Sequence, residues 1–522
     1  MKFKVLVTTS GTGSRLGEIT QYTNKSLVKV GKKPAISYII EAYPKKTEFV
    51  ITLGYFGDQV RDFLELVYPE RNFCFVVVDK YEGLGTSLGY SMLKTKKALQ
   101  CPFIYHASDT IVMDQKIPVP VYNWIGGFKG EGSSAYASFD VIEEKVKEIY
   151  DKGNLDPDFL HIGLVGINDY KAFWSALEKM YKNNPNDSTL NDVQALNRMF
   201  KDNIGFKAIN FKKWYDTGNV ECLQRARQEI NDTFYILDKL GESIFMFDKF
   251  VVKFFSDKEL VIKRVKRAEI LKGLVPKIED CRKNFYRYKY SQGELYSTVA
   301  NPNDFHTFLD WANSKLWRKT HEVSKEKFKL ICRDFYYDKT IQRIDKFLSS
   351  RSIVDQANII NEESVPPIKE ILKKVNFDEL CDADQSMFHG DFILDNIIKT
   401  KKGYTLLDWR QEFGGLLKSG DMYYDLAKLN HNLVVNHGIV NDNLFTIDIK
   451  ERKITCDILR KENLVQCQKI LFGFIKDNRL SERKVRILTA LIWLNMSPLH
   501  HHPFDLFLYY FGKLNLWREL QK

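Results

Sequence analysis

The residues best suited to chemistry lie in residues 388–398, which read Phe-His-Gly-Asp-Phe-Ile-Leu-Asp-Asn-Ile-Ile. Asp391 and Asn396 are five positions apart, and a later apolar stretch ends at Asp408. Phosphoryl transfer needs a carboxylate that orients the attacking hydroxyl, and oxygen ligands for the Mg²⁺ that neutralises the phosphates. We expect Asp391 to take the first role, and Asn396 and Asp408 the second. A surface turn in which Asp395 and Asn396 merely cap is the simpler alternative, but it accounts neither for the His-Gly-Asp sequence nor for the apolar stretch that ends at Asp408.

This segment resembles a known family. Residues 389–391 (His-Gly-Asp), Asn396 and residues 408–409 (Asp-Trp) match the pattern of the aminoglycoside phosphotransferase and choline kinase family. The resemblance implies a two-lobed kinase-like domain that uses ATP and Mg²⁺. It implies that Asp391 is catalytic and that Asn396 and Asp408 hold the metal.

The resemblance continues at residues 420–427, which read Gly-Asp-Met-Tyr-Tyr-Asp-Leu-Ala. In the family this segment is mainly structural, so Asp421 and Asp425 receive no catalytic role. One position departs from the family: Arg410 follows Trp409, where many relatives have an acidic residue.

Composition limits the classes of protein to consider. With 522 residues the chain is long enough for several domains of about 100–200 residues each. We find no apolar run of about 18 residues and no signal peptide at residues 1–5, so we expect a cytoplasmic enzyme without a membrane span. The eight cysteines form no Cys-x-x-Cys pair, which favours reduced thiols. The net charge of +11 fits small anionic substrates better than nucleic acid, because no nucleic-acid-binding motif is present.

Residues 1–110 alternate strand-like runs with helix-like stripes, which is typical of a parallel sheet covered by helices. The four predicted strands are residues 3–9, 49–53, 73–78 and 103–107. Ligands of such sheets bind beyond the carboxyl ends of the strands. We therefore expect the loops at 10–17 and 83–87 and the carboxylate of Asp109 to line one cleft.

The first of these loops, residues 10–17, reads Ser-Gly-Thr-Gly-Ser-Arg-Leu-Gly. Glycines allow backbone N–H groups to approach phosphate oxygens, and Arg15 adds a bidentate cation. The loop is not a Walker A motif, and Leu16 stands where a dinucleotide fingerprint requires glycine. A plain tight turn is the alternative. We expect the following residues to bind a nucleotide: Gly11, Thr12, Gly13, Ser14 and Gly83.

The same region resembles the sugar-phosphate nucleotidyltransferase family, which has a glycosyltransferase-A-like fold. The matching segments are residues 7–16, 24–30, 33–36 and 214–218, within a resemblance that covers roughly residues 1–232. It implies that Asp109 and Asp216 hold Mg²⁺ across a nucleoside triphosphate. Arg15 and Lys25 would be the catalytic cations, which neutralise the phosphates as pyrophosphate leaves.

After Thr233 the pattern changes to short strands at 234–237, 244–247 and 250–255, which predict an antiparallel small lobe. The kinase resemblance gives Lys253 the role of pairing with the ATP phosphates, and Glu269 the role of pairing with Lys253. A lone lysine in a strand is more often a simple edge residue. Beyond this lobe, residues 303–380 and the chain after Tyr423 look mostly helical.

The fold class predicted is therefore α/β, with two parts. Residues 1–232 would form a mostly parallel sheet covered by helices, and residues 233–522 an α+β kinase-like domain. Within the second part we predict a small lobe at about 233–297 and a helical large lobe at about 298–522.

The sequence leads to a bifunctional enzyme as its functional hypothesis. One half would phosphorylate a small hydroxylated acceptor with ATP, and the other would couple that phosphate to a nucleotide from CTP, UTP or dTTP, with Mg²⁺ at both sites. A sugar is favoured because residues 83–87 resemble those of sugar-phosphate members; the product would feed capsule or lipopolysaccharide assembly. An amino-alcohol kinase fused to a cytidylyltransferase is the alternative, and one half could be a non-catalytic binding module. The sequence does not indicate the oligomeric state.

Overall fold

Two units make up the protein in this computed structural model, which describes residues 2–113, 115–130, 135–154, 156–230 and 240–522. The first unit is Met1–Val261 with Glu279–Tyr288, and the second is Ile262–Ile278 with Lys289–Lys522. The predicted join at residues 231–232 and the predicted strand at 234–237 lie outside the described residues. The boundary after residue 232 therefore stays a prediction.

Residues 2–230 contain thirteen described strands and six described α-helices. The strands are β1 (Lys4–Thr8), β2 (Lys29–Val30), β3 (Lys33–Pro34), β4 (Glu48–Leu53), β5 (Asn72–Val77), β6 (Phe103–Ala107), β7 (Thr110–Val112), β8 (Trp124–Phe128), β9 (Ser138–Ile142), β10 (Lys145–Tyr150), β11 (Phe159–Ile167), β12 (Lys207–Asn210) and β13 (Trp214–Asp216). The helices are α1 (Ala35–Glu41), α2 (Gly57–Val67), α3 (Leu88–Lys94), α4 (Tyr170–Asn183), α5 (Asp192–Lys201) and α6 (Val220–Glu229).

Nine of these strands form one sheet in the order β5-β4-β1-β6-β11-β8-β12-β10-β9. The first four run parallel, as predicted, because a helix returns the chain after each of β4 and β5 and α1 lies between β1 and β4. The prediction of a mostly parallel sheet is wrong for the remainder, where β12 is parallel to β8 but the other described pairs are antiparallel. There β11 is antiparallel to β6 and β8, and β9 is antiparallel to β10.

The physical reason is the length of the connections. Two residues, Glu143 and Glu144, join β9 to β10, and both have positive φ angles of 49° and 64°. Such a tight turn can only reverse the chain, whereas a parallel pair needs a crossover of a dozen residues or more. The alternation visible in residues 1–110 does not extend into this region.

Helices cover both faces of the large sheet, so its central strands are buried. On one face Val5 and Val7 pack with α1 and α2, and on the other Leu6 packs with Phe173 and Trp174 of α4. This two-sided burial explains why the predicted strands of residues 1–110 read as continuous apolar runs.

A second sheet follows in the chain, with the order β14-β15-β17-β16. Its strands are β14 (Glu242–Met246), β15 (Phe250–Phe255), β16 (Ile278–Cys281) and β17 (Phe285–Lys289), and helix α7 (Lys258–Ile270) lies between β15 and β16. Strands β14 and β15 are antiparallel, which confirms the predicted short antiparallel strands at 244–247 and 250–255.

This second sheet is packed against helix α2 of the first unit. The ring centroid of Phe63 in α2 lies 5.6 Å from that of Phe245 and 5.8 Å from that of Phe285. Phe254 of β15 belongs to the same core. Helix α2 therefore has apolar contacts with both sheets, and the two sheets share one hydrophobic layer.

The second unit is rich in helices and carries small sheets. After residue 289 its strands are β18 (Glu294–Leu295), β19 (Asn358–Ile360), β20 (Glu363–Val365), β21 (Gln385–Ser386), β22 (Ile397–Thr400), β23 (Gly403–Leu406), β24 (Gly420–Asp421), β25 (Phe445–Lys450) and β26 (Lys453–Ile458). Its helices are α8 (Tyr296–Val299), α9 (Pro302–Lys315), α10 (Lys325–Arg333), α11 (Lys339–Ser350), α12 (Ile368–Lys374), α13 (Phe377–Leu380), α14 (Met422–Val434), α15 (His437–Asn441), α16 (Glu462–Asp477), α17 (Glu482–Met496) and α18 (Phe504–Gln521).

The prediction of a mostly helical chain after Tyr423 missed one hairpin. Strands β25 and β26 are antiparallel and join β19 and β20 in a four-stranded sheet. The signal was present, because Ile447 and Ile449 alternate with polar residues at the period of a strand, and Glu451 with φ of 56° stands at the turn.

All eight cysteines of the chain are free thiols. Cys332, Cys381, Cys456 and Cys467 are buried, and Cys281 is exposed. Among the helices in the described part of the chain, none combines the length and apolar character needed to cross a bilayer.

Phe63 is fully buried in the shared hydrophobic layer, so we expect its truncation to destabilise the fold. We expect Phe63→Ala to lower the free energy of unfolding by about 3–5 kcal/mol, because it removes a buried ring and leaves a cavity. Urea denaturation followed by circular dichroism measures this. Leu240→Ala is the matched control, since Leu240 is 65% exposed and should change stability little. Equal effects of the two substitutions would contradict the shared layer.

Candidate active sites

The first candidate site begins at the loop after β1. A 3₁₀ segment, Ser14–Thr20, follows Gly13, whose φ angle is 70°. A Cβ added to Gly13 would lie 2.9 Å from the Cβ of Lys25. Both the left-handed backbone and the approach of Lys25 therefore require glycine here. Gly11 and Ser14 in the same loop are exposed.

Asp109 follows β6 and forms an ion pair with Lys25, whose Nζ lies 3.0 Å from Oδ2 of Asp109. Burial by itself would raise the pKa of Asp109. The charge and hydrogen bond of Lys25, together with the charge of Arg15, outweigh burial and lower that pKa. Asp109 is therefore held in its ionised form between two cations.

Asp216 reaches the same place through the pairing of two short strands. Strand β13 is antiparallel to β7, and this pairing sets Asp216 opposite Thr110, the neighbour of Asp109. The backbone N–H of Thr217 donates to the carbonyl oxygen of Asp109 at 2.9 Å. The carboxylates of Asp109 and Asp216 are thus fixed beside each other, although 107 positions separate them in the sequence.

Gly218 marks the centre of this site. A Cβ built there would lie 3.0 Å from Oδ1 of Asp216, 3.1 Å from Oδ2 of Asp109 and 3.4 Å from Nη2 of Arg15. The structure thus brings together Arg15, Asp109 and Asp216 with Lys25, and a side chain at position 218 would fill the space among them. The four residues converge as the sequence predicts; their chemical roles remain predictions.

The donor set at this point fits a hard cation. Within the described ranges no group of three or more His, Cys, Asp and Glu side chains could hold a metal, so a cation would have two carboxylates and would take further oxygens from a ligand. Mg²⁺ accepts that arrangement, since it is commonly bound by one or two carboxylates plus substrate phosphates. Asp109 and Asp216 would hold it, and when bound it would neutralise charge on the phosphates.

Tyr136 is a member of the site that the sequence did not reveal. Its hydroxyl donates to Oδ2 of Asp216 at 2.7 Å, while the N–H of Gly218 donates to Oδ1 at 2.7 Å. Burial, followed by the charge of Asp216, raises the pKa of Tyr136 far above its usual value, so the hydroxyl keeps its proton. No motif surrounds Tyr136, and only the folded structure relates it to Asp216.

Gly83 lies in an exposed turn between β5 and α3. Its φ angle is 82°, that of Gly85 is 80°, and the hydroxyl of Thr86 donates to the carbonyl oxygen of Gly83 at 2.8 Å. The turn requires the glycines for their conformation. The predicted nucleotide contact of Gly83 stays a prediction.

The second candidate site contains Asp391 and lies in the second unit. Nζ of Lys428 is 2.7 Å from Oδ1 of Asp391, and Nδ2 of Asn396 donates to Oδ2 at 2.9 Å. Burial would raise the pKa of Asp391, but the charge of Lys428 and its hydrogen bond lower that pKa to about 2. Asp391 is therefore an ionised, oriented carboxylate. The structure brings Asn396 to it as the spacing predicts, and adds Lys428, which the sequence did not single out.

Asp425 holds the backbone of this loop in place. Its carboxylate accepts the N–H of His389 at 2.7 Å and that of Gly390 at 2.7 Å, and Nε1 of Trp317 donates to it at 3.1 Å. Burial raises the pKa of Asp425 to about 6, although these hydrogen bonds oppose the rise. The sequence predicts a structural role for Asp425. In the structure, Asp425 fixes the backbone of His389 and Gly390, the two residues that precede Asp391.

Asp408, the third predicted member, contacts a cation of α7. Nη1 of Arg264 donates to Oδ1 of Asp408 at 2.5 Å, and Arg264 is buried. Asp408 has a φ angle of 54°, uncommon for a residue with a side chain. Its carboxylate and the amide oxygen of Asn396 are ligand types that fit Mg²⁺. Arg264 would compete with such a cation for Asp408.

The predicted pair of Lys253 and Glu269 is divided between the units. Lys253 is buried in β15, in the first unit, and Glu269 is exposed near the end of α7, in the second. Their pairing stays a prediction.

Comparison with known proteins finds similarity for the N-terminal part of the chain. No family model matches. The choline-phosphate cytidylyltransferase of Streptococcus pneumoniae (strain ATCC BAA-255 / R6) is 32% identical over 108 residues, which are 20% of this chain and 44% of that protein. The chain therefore matches less than half the length of this curated relative.

Two solved structures are similar over the same part of the chain. A CTP:phosphocholine cytidylyltransferase from Streptococcus pneumoniae is 19% identical and covers 44% of this chain and 100% of that one, with a TM-score of 0.39. A UDP-glucose pyrophosphorylase complexed with UDP-glucose is 20% identical and covers 44% of this chain and 98% of that one, with a TM-score of 0.37. The sequence similarity in the N-terminal part, over 20% of the chain, is to a cytidylyltransferase. For the second half, the interpretation depends on its own residues.

The burial of Asp425 leads to a prediction about the pH dependence of stability. Its pKa of about 6 in the folded chain exceeds the value of about 3.9 expected in an unfolded chain. The stability that protonation contributes is therefore fully present below pH about 4 and is lost as the pH rises through about 6. We expect Asp425→Asn to remove up to about 2 kcal/mol of this pH dependence between pH 4.5 and 7.

The same substitution should lower the free energy of unfolding at pH 4.5 by about 1–3 kcal/mol, because the amide NH2 group cannot accept and leaves one of the two backbone N–H donors without a partner. Urea unfolding at both pH values measures both effects. Asp384→Asn is the control, since that side chain is 80% exposed. A pH dependence identical to that of the unmodified protein would contradict the assigned pKa shift.

Proposed function

We propose that this protein carries two transfer activities. The first unit would transfer a nucleotidyl group to a phosphorylated acceptor and release pyrophosphate. The second would contain the phosphoryl-transfer machinery that makes that acceptor from ATP and a small hydroxylated compound. Both reactions would require Mg²⁺, and the two would run in sequence.

The observation that carries the first activity is the convergence of Arg15, Asp109 and Asp216 around Gly218. Two carboxylates and a guanidinium lie within a few ångströms of one point, with Lys25 paired to Asp109. Such a set can hold a metal–triphosphate and neutralise departing pyrophosphate. The attacking group would be a phosphate oxygen of the acceptor, which is already anionic, so no general base is required. The sequence similarity to a cytidylyltransferase supports this reading.

The second activity, phosphoryl transfer, is supported by the charge and the hydrogen bonds of Asp391. The carboxylate is ionised, hydrogen-bonded by Asn396 and backed by Lys428. An acceptor hydroxyl beside it would be oriented for attack on the γ-phosphorus of ATP. Within the second unit, Asn396 and Asp408 would complete the metal contacts in the roles that the sequence predicts; the roles of Lys253 and Glu269 stay predictions from the sequence.

Two kinds of acceptor are consistent with the proposed nucleotidyl transfer. The loop at residues 83–87 favours a sugar phosphate, joined to UTP or dTTP. The similarity to a choline-phosphate cytidylyltransferase favours a phosphorylated amino alcohol and CTP. Either product would be an activated cytoplasmic precursor for capsule or lipopolysaccharide. A screen of pyrophosphate release with each acceptor phosphate and each of the four triphosphates separates the two.

We expect the two activities to separate by mutation. Asp216→Asn should reduce pyrophosphate release roughly 100-fold or more, because a charge that stabilises the transferring phosphates is lost. It should leave ATP-dependent phosphorylation unchanged. Asp391→Asn should do the opposite, reducing phosphorylation by about 100- to 10,000-fold. Coupled pyrophosphate and ADP assays on the full chain measure both. If one substitution abolished both activities in a folded protein, two independent sites would be the wrong description.

Tyr136 provides a finer test of the first site. Its hydroxyl bonds Asp216, and removal of such a group outside the metal's own ligands typically costs about 10–100-fold in metal affinity or activity. We expect Tyr136→Phe to raise the Mg²⁺ concentration for half-maximal pyrophosphate release by about 10-fold, with a smaller change in the rate at saturating Mg²⁺. Tyr150→Phe is the control, since its hydroxyl bonds Asp140 instead. An unchanged Mg²⁺ requirement would exclude Asp216 as a metal ligand positioned by Tyr136.

A non-catalytic second unit would behave differently. It would bind ATP or an acceptor without converting either, so isothermal titration beside the ADP assay distinguishes a binding module from an enzyme. Binding without turnover would exclude the proposed kinase activity. Nucleotidyl transfer would then be the one proposed activity of the chain.

A further inference from the structure

Four basic side chains gather close to Asp391 in the second unit: Lys339, Arg343, Arg410 and Lys428. They come from three separate segments, namely α11, the stretch after β23, and α14. The nucleotide and metal contacts described above use none of the four.

Arg410 is fixed directly beside the loop that carries Asp391. Its backbone N–H donates to the carbonyl oxygen of His389 at 3.0 Å. Its side chain covers Gly390, where an added Cβ would lie 2.5 Å from the Cβ of Arg410. The guanidinium then lies 4.9 Å from the ring centroid of Phe335.

The same aromatic ring brings a second cation to this place. Nζ of Lys339 lies 4.4 Å from the ring centroid of Phe335, so Lys339 and Arg410 share one ring. Arg343 follows Lys339 one turn later on α11, and its Nη1 donates to the carbonyl oxygen of Asn495 at 3.0 Å. Lys339 thus lies beside Arg410, and the charge of Arg410 also acts on Arg343, whose pKa is lowered mainly by burial.

Lys428 completes the cluster from α14. It forms the 2.7 Å ion pair with Asp391. Tyr424 precedes it by one turn on α14, and the ring centroids of Tyr424 and Phe335 are 5.0 Å apart. The cluster therefore extends from the catalytic carboxylate over Gly390 to α11, with aromatic rings between its charges.

The charges in this cluster do not balance. Asp391 pairs with Lys428, but among the residues that the structure describes no carboxylate lies within 4.0 Å of Lys339, Arg343 or Arg410. Nε of Arg410 is buried and has no hydrogen-bond partner in the described chain. Burial, followed by the charges of Arg410, Arg343 and Lys428, lowers the pKa of Lys339 to about 6, so its charged form at neutral pH needs a nearby counter-charge.

Clustered cations that lack a counter-charge are unfavourable, and an anion that binds among them relieves the repulsion. Arginine offers the forked donors that match carboxylate and phosphate oxygens. A quaternary ammonium or amine would instead add a further positive charge to the cluster.

We propose that this cluster binds the anionic group of the acceptor whose hydroxyl lies at Asp391, so that the acceptor is a hydroxylated carboxylate or phosphate ester. This inference rests on the proposed phosphoryl transfer. In that step the acceptor oxygen forms a bond to the γ-phosphorus of ATP, the bond from that phosphorus to the β–γ bridging oxygen breaks, and ADP leaves. The hydroxyl proton passes to Asp391 and then to water. The product carries the new phosphate ester beside its original anionic group.

The test uses the full chain with ATP and four acceptors: glycerate, glycerol 3-phosphate, choline and ethanolamine. We expect ADP formation with the anionic acceptors, and the comparison of glycerate with glycerol 3-phosphate decides between carboxylate and phosphate. Faster turnover of choline or ethanolamine than of both anions would overturn the proposal.

Two variants, Lys339→Gln and Arg343→Gln, test the cluster itself. Each should raise KM for the anionic acceptor at least 10-fold and leave kcat and KM for ATP within about twofold, because these cations would contact the acceptor and not the nucleotide. Lys346→Gln is the matched control on α11, where Lys346 is exposed. A rise in KM for ATP instead would overturn the proposal, since the cluster would then serve the nucleotide.

Isothermal titration with inorganic phosphate and with acetate keeps the test independent of turnover. We expect one of the two anions to bind the unmodified chain and to bind each variant at least 10-fold more weakly. Binding that is absent, or that the variants leave unchanged, would overturn the anion site. If the site binds but no acceptor is phosphorylated, the anion site stands and the proposed kinase activity fails.

Discussion

A carboxylate that leaves water must find cations or hydrogen-bond donors, because an ionised oxygen without partners is too costly to bury. Both candidate sites depend on this constraint. Asp109 has Lys25 and Arg15, and Asp391 has Lys428 and Asn396. In each case the partners hold the carboxylate ionised and at a fixed position. The folds around them serve to bring those partners, which are distant in sequence, to the carboxylate.

The two sites meet this constraint with different local devices. In the first unit, pairing of two three-residue strands sets Asp216 beside the segment of Asp109. In the second unit, Asp425 holds two consecutive backbone N–H groups, and this fixes the loop that leads into Asp391. In the first unit, strand pairing positions Asp109 and Asp216 beside each other. In the second, Asp425 positions the loop that carries Asp391. Burial raises the pKa of Asp425, and the hydrogen bonds that it accepts from the backbone N–H groups oppose that rise.

Much of the site could be predicted from the sequence, because the relevant signals are local. Glycine at 13 and the spacing of Asp391 and Asn396 reflect backbone conformation and short-range hydrogen bonding, which neighbouring residues determine. The antiparallel half of the large sheet could not be read in the same way, since its pairing depends on long-range contacts. Tyr136 and Lys428 could not be predicted either, because neither lies in a motif. Tyr136 is 80 positions from Asp216, and Lys428 is 37 positions from Asp391. The hairpin of β25 and β26 is a different case, because its alternation of apolar and polar residues is visible in the sequence.

The distribution of thiols between the units has a practical consequence. The four cysteines of the second unit are all buried, whereas the four of the first unit are all at least partly exposed. Burial also raises the pKa of Cys332 and of Cys467, so these thiols stay protonated and unreactive while their unit is closed. A thiol-reactive dye would thus label the native first unit promptly and the second only as it opens. Without any engineered probe, mass spectrometry of the labelled peptides would report which unit loosens first under heat or denaturant.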